Sequence, residues 1–568
     1  MLRTETRPTG EVITRTPDAA GRLDTIEIPG GLLDYDYYPP GTPSGAGKTS
    51  DIRGPYGVDL HYTYDGSLTT STSWSGDVSG SVSWQYNNDF NKILETVTAP
   101  SGSATTAFGY DRDQLLTCAS PTTCNPPGSD ALQLTRSPQN GLVTGITLGS
   151  TSESFTYNSV GEISTQVATF SGSPLLSITY HGGGAASRDA LGRIVQKTEV
   201  IGGVTKVYRY TYDNLRRLTD VTIDGVLEEH FEYDANGNRT LGYNRTAGTT
   251  WVGTYDDQDR LLSYGPFDYT YTANGELETK TNRDTGDEWL FQYDVLGNLL
   301  SAGLPDGRLV EYLVDGLGRR VGKKIDGVLL KQWVYRNALK PVAELDGSGH
   351  VVSNFAYASR KSTPDYVRHG GNKYRALVDH LGSPRQLVNS ANASDSPFVT
   401  TFTSFGQPTG ALVTWFPLGF LSGIYDEDTG LVRLGSRDYD ASVGRWTSKD
   451  PAGLHFRGNL YSYAGGDPIN YVDRTGRDHV ITETGKPCDQ FSLQACRAEC
   501  GSFYPEPGWL GRLCLDLSGE SERYDVARQT RILQCENICL QTQLNCTNPD
   551  EDHYREEPCW DSECYASY

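Results

Sequence analysis

The chain of 568 residues is too long for one hydrophobic core, yet its middle shows no linker-like change of composition, which favours an array of repeated units. Its formal net charge of −22 repels phosphate backbones and anionic lipid, so no nucleic-acid partner is expected. No stretch approaches the roughly 20 apolar residues of a membrane span, and the sequence Met1-Leu2-Arg3-Thr4 does not begin a signal peptide. Export, if it occurs, is therefore expected to need another route or a longer parent protein.

A repeated unit runs through residues 51–350, and residues 1–50 before it are predicted to be a partial repeat or a linker. Each unit opens with Tyr-Asp, continues with a turn rich in Gly, Asn or Asp, and ends in a short apolar strand. Neighbouring copies are spaced by about 21–22 residues or a multiple, which is typical of repeat architectures. One unit cannot bury a hydrophobic face alone, so neighbours must stack. The clearest copies open at Tyr110-Asp111, Tyr212-Asp213, Tyr233-Asp234, Tyr255-Asp256 and Tyr293-Asp294.

The pattern within the units indicates β-structure. Thr and Val alternate with aromatic residues, and Asp-Gly turns such as Ile223-Asp224-Gly225-Val226 and Ile325-Asp326-Gly327-Val328 are typical of hairpins. We therefore predict an all-β body. In each unit the Tyr ring is expected to pack on the sheet and the Asp carboxylate to cap the turn. The alternative interpretation is that exposed tyrosines bind carbohydrate.

A different block occupies residues 351–476. It contains Val378-Asp379-His380-Leu381-Gly382, Gly444-Arg445-Trp446, Asp450-Pro451-Ala452-Gly453 and Asp473-Arg474-Thr475-Gly476. Together with the Tyr-Asp repeats, this block closely resembles the Rhs/YD-repeat family and its repeat-associated core domain. The family includes bacterial polymorphic toxins, the C component of insecticidal toxin complexes, wall-associated proteins and, more distantly, teneurins.

The resemblance implies a β-hairpin ribbon wound into a spiral that forms a hollow shell. The core domain, residues 351–476, would curl inward as a C-terminal plug. A variable segment, residues 477–568, would begin just after Gly476. In such proteins the shell encloses this segment, usually a toxin, until it is delivered.

Asp450 and Asp473 are the candidate catalytic pair. Two carboxylates held close together share a proton, so that one can activate water while the other polarises a peptide carbonyl. The resemblance implies an aspartyl autoprotease that cuts just after the Asp-x-x-Gly motif, which here places the cut between Gly476 and Arg477. It also indicates Arg445 as the guanidinium that holds the pair or the oxyanion. The alternative interpretation is that both aspartates only cap turns.

Two positions depart from the family pattern, in which a proline follows the second aspartate and a leucine follows the glycine. Arg474 and Arg477 stand there instead, and a charged residue at the cut site is expected to slow or abolish cleavage.

The tail, residues 477–568, holds nine of the 11 cysteines. The spacings Leu493-x-x-Cys496-x-x-x-Cys500 and Ile532-x-x-Cys535-x-x-x-Cys539 place two cysteines on one face of each of two short helices. We predict a stapled helical hairpin with Cys496 joined to Cys539 and Cys500 to Cys535. A zinc cluster is the competing interpretation, although metal knuckles favour shorter gaps. Cys118 and Cys124, the only cysteines before the tail, are further disulfide candidates.

The sequence favours a shell protein that encapsulates its own C-terminal segment and releases it by autoproteolysis, in interbacterial competition or host attack. The expected partners are that segment, a secretion-system or toxin-complex component and an immunity protein. No cofactor and no metal is predicted, and the expected location is secreted or at the cell surface. Two alternatives remain, namely a non-catalytic surface or wall-associated adhesion protein with a disulfide-rich module, and a remnant that no longer cuts.

Overall fold

The computed structural model describes residues 4–159, 161–180, 187–360, 362–396, 398–410, 412–453, 458–477 and 480–481. Across these ranges the regular structure is β-strand apart from short 3₁₀ turns, which confirms the predicted all-β body. No helix in the described part of the chain has the length and apolarity that crossing a membrane requires. The predicted tail helices and Cys496, Cys500, Cys535 and Cys539 lie outside the described residues.

The strands form one long series with short connections. The first twelve are β1 (Thr4–Thr6), β2 (Val12–Pro17), β3 (Leu23–Ile28), β4 (Gly31–Tyr37), β5 (Thr49–Arg53), β6 (Val58–Asp65), β7 (Leu68–Gly76), β8 (Gly80–Tyr86), β9 (Lys92–Ala99), β10 (Gly102–Tyr110), β11 (Leu116–Ser120) and β12 (Leu132–Arg136). The next twelve are β13 (Val143–Leu148), β14 (Thr151–Tyr157), β15 (Ile163–Phe170), β16 (Ser173–Thr179), β17 (Gln196–Ile201), β18 (Val204–Tyr212), β19 (Leu218–Ile223), β20 (Val226–Tyr233), β21 (Arg239–Asn244), β22 (Thr249–Tyr255), β23 (Leu261–Tyr264) and β24 (Phe267–Tyr271).

The series then continues into the C-terminal block. Its third part is β25 (Leu277–Asn282), β26 (Glu288–Tyr293), β27 (Leu299–Gly303), β28 (Leu309–Val314), β29 (Arg320–Ile325), β30 (Val328–Tyr335), β31 (Pro341–Asp346), β32 (Val351–Ala356), β33 (Tyr366–His369), β34 (Asn372–Val378), β35 (Pro384–Asn389) and β36 (Phe398–Val399). The last elements are a 3₁₀ turn (Phe420–Ser422), β37 (Ile424–Tyr425), β38 (Leu431–Leu434), β39 (Arg437–Asp440), β40 (Arg445–Trp446), a 3₁₀ turn (Ala464–Gly466), β41 (Tyr471–Val472) and β42 (Val480–Ile481).

Strands β1–β36 form a single 36-stranded sheet, which we call the ribbon. Each strand pairs antiparallel with the next one along the chain, without a crossover. The first 50 residues contribute β1–β4 to it, so they continue the repeat pattern. The ribbon also runs past the boundary predicted at residue 350, because β32–β36 keep the same pairing.

The predicted hairpin turns are confirmed. Ile223 pairs with Val226 and Ile325 with Val328 across two-residue turns. Both central residues of each turn have positive φ, 52° and 82° at Asp224 and Gly225, as a type I′ turn requires.

The predicted carboxylate cap of each Tyr-Asp unit is confirmed as well. At Asp213, Oδ1 accepts hydrogen bonds from the backbone N–H groups of Leu215 and Arg217, at 2.9 Å each, while Oδ2 accepts from Arg217 Nε at 2.7 Å. Equivalent bonds to the residues two and four positions later occur throughout the ribbon. They are made by Asp18, Asp111, Asp189, Asp234, Asp256, Asp294, Asp315, Asp346 and Asp379.

In four of the five clearest units, those of Tyr110, Tyr212, Tyr233 and Tyr255, the tyrosine fastens the turn to the preceding part of the ribbon. Its hydroxyl donates to a backbone carbonyl there, as Tyr233 does to Leu218 at 2.9 Å and Tyr255 to Arg239 at 2.7 Å. The strand register also shifts by one residue immediately before these tyrosines. Such a bulge increases the local twist, so the repeated unit bends the ribbon at regular intervals.

The ribbon passes close to itself after a long interval of sequence. Trp74 Nε1 donates to Asp315 Oδ2 at 3.2 Å, and Arg336 binds Glu95 through Nε at 2.6 Å and Nη2 at 2.8 Å. Both contacts join residues 241 positions apart. Arg336 and Glu95 are buried, so an ion pair with two hydrogen bonds joins an early part of the ribbon to a late part.

The block after the ribbon packs against it. Phe405, Phe420, Tyr439 and Trp446 form one buried cluster with ribbon residues that include Phe231. Lys280 Nζ binds Asp440 Oδ2 at 3.2 Å across the same boundary. Within the ribbon, Cys118 and Cys124 are joined by a disulfide.

We predict that replacing Asp213 with Ala lowers the free energy of unfolding by about 2 kcal/mol, because two backbone N–H groups and one guanidinium lose a charged acceptor. Hydrogen–deuterium exchange should become faster in the peptide that contains Leu215 and Arg217. Asp213→Asn should lose less stability, since the amide oxygen of asparagine can still accept hydrogen bonds. Asp257→Ala, at an exposed aspartate of another turn, is the matched control, and equal losses in both alanine variants would contradict the capping role.

Candidate functional site

The structure brings Asp450 and Asp473 together at one arginine. Arg437 is the first residue of β39, Asp450 follows β40 and Asp473 follows β41. Arg437 Nη2 donates to Asp450 Oδ2 at 2.8 Å and to Asp473 Oδ2 at 3.1 Å. A single guanidinium nitrogen therefore joins the two carboxylates.

Arg437 is held rigidly. Its side chain is only 2% exposed, and its guanidinium lies 4.1 Å from the centre of the Trp446 ring. The remaining donors bind backbone carbonyl oxygens. Nη1 donates to the carbonyl of Leu460 at 3.1 Å, and Nε donates to that of Gly476 at 2.5 Å. Because the donors have fixed partners, the arginine has little freedom to leave the aspartates.

The two aspartates lie in different surroundings. Burial, with the nearby Asp450 carboxylate, raises the pKa of Asp473 to about 6, although Arg437 opposes the shift. The Asp473 side chain is 4% exposed, whereas that of Asp450 is 20% exposed. Asp473 thus takes up a proton in mildly acidic solution, and Asp450 is the carboxylate nearer to solvent.

The peptide between Gly476 and Arg477 lies within this cluster. The Gly476 carbonyl oxygen accepts hydrogen bonds from Arg437 Nε and, at 3.1 Å, from Ser436 Oγ. The Arg477 backbone N–H donates to Asp473 Oδ1 at 3.3 Å. Donors therefore polarise the carbonyl end of this peptide while a carboxyl group faces its nitrogen.

Two glycines allow the segments to approach so closely. Gly435 and Gly476 have φ of 55° and 66°, in the left-handed region. A Cβ on Gly435 would lie 2.2 Å from the Thr475 carbonyl oxygen, and one on Gly476 would lie 2.7 Å from that of Leu434. The glycine of the Asp-x-x-Gly motif is therefore required by the contact between these backbones.

The structure corrects the prediction that Arg445 holds the pair. Arg445 Nη1 donates to Asn238 Oδ1 at 2.8 Å, and Nη2 donates to the Asp259 carbonyl oxygen. Arg445 pairs with Asp440, at the opposite end of β39 from Arg437, and this register directs its side chain to the ribbon. Arg437 occupies the position that the sequence assigned to Arg445.

Sequence reasoning missed Arg437 and Ser436. Both belong to the run Gly435-Ser436-Arg437-Asp438, which precedes Asp450 by more than ten residues. The available signal was the run Arg437-Asp438-Tyr439-Asp440, in which three of four residues are charged. The structure buries all three, and buried charges need designated partners.

The two departures from the family pattern lie at the edge of the cluster. Arg474 Nη2 donates to the Leu381 carbonyl oxygen at 2.7 Å, so its side chain reaches another loop. Arg477 is exposed.

A comparison with protein-family models matches residues 1–469 to the Teneurin YD-shell. Mouse Teneurin-1 is 27% identical over 375 residues, which cover 63% of this chain and 13% of the relative. The Double-stranded DNA deaminase toxin A of Burkholderia cenocepacia (strain H111) is 26% identical over 276 residues, which cover 43% of this chain and 17% of the toxin. The chain therefore spans only a small part of the length of these relatives.

Among solved structures, the crystal structure of TcdB2-TccC3-Cdc42 matches 83% of this chain and 27% of its own chain, with a TM-score of 0.59 and 15% identity. At this identity the likeness establishes the fold. The comparisons confirm that the Tyr-Asp repeats and the block after them are those of an Rhs/YD-repeat shell protein.

We predict that Arg437→Met lowers the free energy of unfolding by about 3 kcal/mol at pH 7.5, because two carboxylates lose their shared cation. The loss should be smaller at pH 4.5, where protonation removes the charge of Asp473. Arg445→Met is the matched control. The hydrogen bonds of Arg445 go to neutral oxygens, so the stability lost in this variant should not depend on pH in this range. Denaturant midpoints at the two pH values give the measurement, and an equal pH dependence in both variants would count against the assignment.

Proposed function

Because the chain belongs to the Teneurin YD-shell family, we propose that it is a carrier that encloses its own C-terminal segment and frees it by cutting the peptide after Gly476. The observation that carries the proposal is the placement of that peptide. Its carbonyl binds Arg437 and Ser436, and its nitrogen lies beside Asp473, next to a second carboxylate.

The chemistry follows from the two environments. Asp450, the more exposed carboxylate, takes a proton from water while the water oxygen attacks the Gly476 carbonyl carbon. Arg437 Nε and Ser436 Oγ stabilise the negative charge that develops on the carbonyl oxygen. Protonated Asp473 gives its proton to the nitrogen of Arg477 as the C–N bond breaks. The products are a carboxyl group on Gly476 and a new N-terminus on Arg477.

The enclosure is supported by the ribbon. A 36-stranded antiparallel sheet whose distant strands are joined by buried ion pairs leaves few free strand edges, as an enclosing wall requires. The relative named Double-stranded DNA deaminase toxin A supports a toxin as the enclosed segment, and a toxin-complex component as a partner belongs to the same proposal. An extracellular destination is part of the same proposal.

A second candidate function rests on Arg437. An arginine between two ionised aspartates is also a structural ion triad, and it would fix the end of the block in a surface protein that does not cut itself. The teneurin relatives favour this candidate. Denaturing electrophoresis of the purified chain, described next, separates the two functions.

We predict that the purified chain separates on denaturing electrophoresis into two fragments, the smaller being residues 477–568 at about 10 kDa, since it holds about a sixth of the 62.3 kDa chain. Asp450→Asn and Asp473→Asn should remain uncut, and Asp284→Asn, at an exposed turn, should cut like the wild type. Intact mass should place Gly476 at the new C-terminus. A single full-length wild-type band after long incubation at pH 5 would reject the cutting function and favour the second candidate.

We predict that the enclosing ribbon retains the cut segment, so that both wild-type fragments elute together in native gel filtration. A strand-paired enclosure opens only by local unfolding, which should require denaturant. Elution of residues 477–568 as a separate small species under native conditions would contradict enclosure while leaving the cutting function intact.

We predict that cutting is faster below pH 6 than above it. Asp473, with a pKa of about 6, carries the proton that the leaving nitrogen needs, and it loses that proton as the pH rises. Single-turnover cutting of freshly refolded chain at pH 5 and pH 8 should differ by about tenfold or more. A rate that increases steadily from pH 5 to pH 8 would rule out Asp473 as the acid.

A further inference from the structure

A small cavity lies beside the candidate site, where the ribbon meets the C-terminal block. Its volume is about 30 Å³, and four arginines line it, Arg319, Arg320, Arg433 and Arg474. One water molecule needs a cavity of about 10–15 Å³, so this cavity has room for one ion or small molecule larger than water. None of the described lining residues is acidic. We call it the Arg320 cavity.

Arg320 and Arg433 share one carboxylate behind the cavity wall. Arg320 Nη2 donates to Asp438 Oδ1 and Arg433 Nη1 to Asp438 Oδ2, both at 2.9 Å. Their side chains are 1% and 5% exposed, and that of Asp438 is 0% exposed. Two buried positive charges therefore face one buried negative charge, which leaves a surplus of one.

The same arginines carry buried donors that are not used. Among the described residues, Nε and Nη1 of Arg320 and Nε of Arg433 have no hydrogen-bond partner. A buried guanidinium N–H without an acceptor is costly, and so is an uncompensated buried charge.

The neighbouring charges do not remove the surplus. Arg319 is paired with Asp315 at 2.7 Å. Asp426, which accepts a hydrogen bond from Tyr312 under Arg320, is itself bound by Lys323 Nζ at 2.9 Å. Lys323 also binds Asp428, which Arg308 binds as well, and Arg308 pairs in turn with Asp306 at 2.7 Å. These neighbours together carry one negative charge in excess, but the excess falls on Asp306, whose side chain is 53% exposed and is therefore screened by solvent.

We propose that the Arg320 cavity binds one compact monovalent anion, of the size and charge of chloride. The anion accepts hydrogen bonds from Arg320, the first residue of β29 in the ribbon, and from Arg433 on β38 in the C-terminal block. It therefore ties the ribbon to the block. Gly435, which also lines the cavity, touches the Thr475 backbone, so the anion supports the backbone that carries Asp473 and Gly476.

The anion's location is tested in crystals of the full chain grown with bromide, which replaces chloride and scatters anomalously. The expected result is an anomalous peak within hydrogen-bond distance of Arg320 and Arg433. A cavity without a peak at high bromide concentration would overturn the proposal.

Its contribution in solution is tested by thermal unfolding at fixed pH and ionic strength, with chloride exchanged for gluconate, which is too large for the cavity. The melting temperature should rise by on the order of 1 °C for each tenfold increase in chloride above its dissociation constant. Ala338 is an exposed lining residue, so Ala338→Asp supplies a carboxylate at the cavity wall and should remove the chloride dependence.

The control is Ala247→Asp, at an exposed turn between β21 and β22, which should keep the chloride dependence of the wild type. Equal chloride dependence in both variants would show a general salt effect and overturn the proposal. The inference does not depend on self-cutting, and all variants are compared on the Asp450→Asn background so that the chain stays intact.

Discussion

One interaction recurs through the molecule and makes the rest possible, namely the aspartate whose carboxylate accepts the backbone N–H groups two and four residues ahead. In a ribbon with almost no helix, each turn exposes backbone donors that no strand partner can satisfy. The carboxylate satisfies two of them at once, and the preceding tyrosine ties the turn to the previous strand. A repeat of about 20 residues thereby becomes a self-contained bend, and the ribbon is extended by adding copies.

Local bends alone do not fix where a long ribbon meets itself. That information lies in buried ion pairs between distant strands, such as Arg336 with Glu95 and Arg385 with Glu199, each joined by two hydrogen bonds. A misplaced register would leave these charges buried without partners, at a cost of several kcal/mol. The pairs therefore specify one arrangement of the ribbon even where they add little net stability.

The sequence predicted what is local. The contacts that define the Tyr-Asp units and the Asp-Gly turns are made between residues a few positions apart. The all-β ribbon, its hairpins and its carboxylate caps could therefore be predicted from local sequence. The sequence did not show which arginine binds the two candidate aspartates. Arg437 and Arg445 stand in the same block, and only the pairing of Asp440 with Arg445 decides which one reaches the carboxylates. The ribbon continues to Val399, where the motif has faded but the strand pairing persists.

The candidate site resembles a modified turn of the repeated unit. Asp450 and Asp473 each begin an Asp-x-x-Gly turn, as Asp294 and Asp315 do in the ribbon, and Asp450 Oδ1 likewise accepts the N–H two residues ahead. In the ribbon the second oxygen binds the turn's own residue four positions later, as Asp315 binds Arg319. At the site one arginine from a third strand binds both second oxygens. Two structural caps that share a cation place two carboxyl groups beside one peptide, and that arrangement provides the components of an acid–base pair.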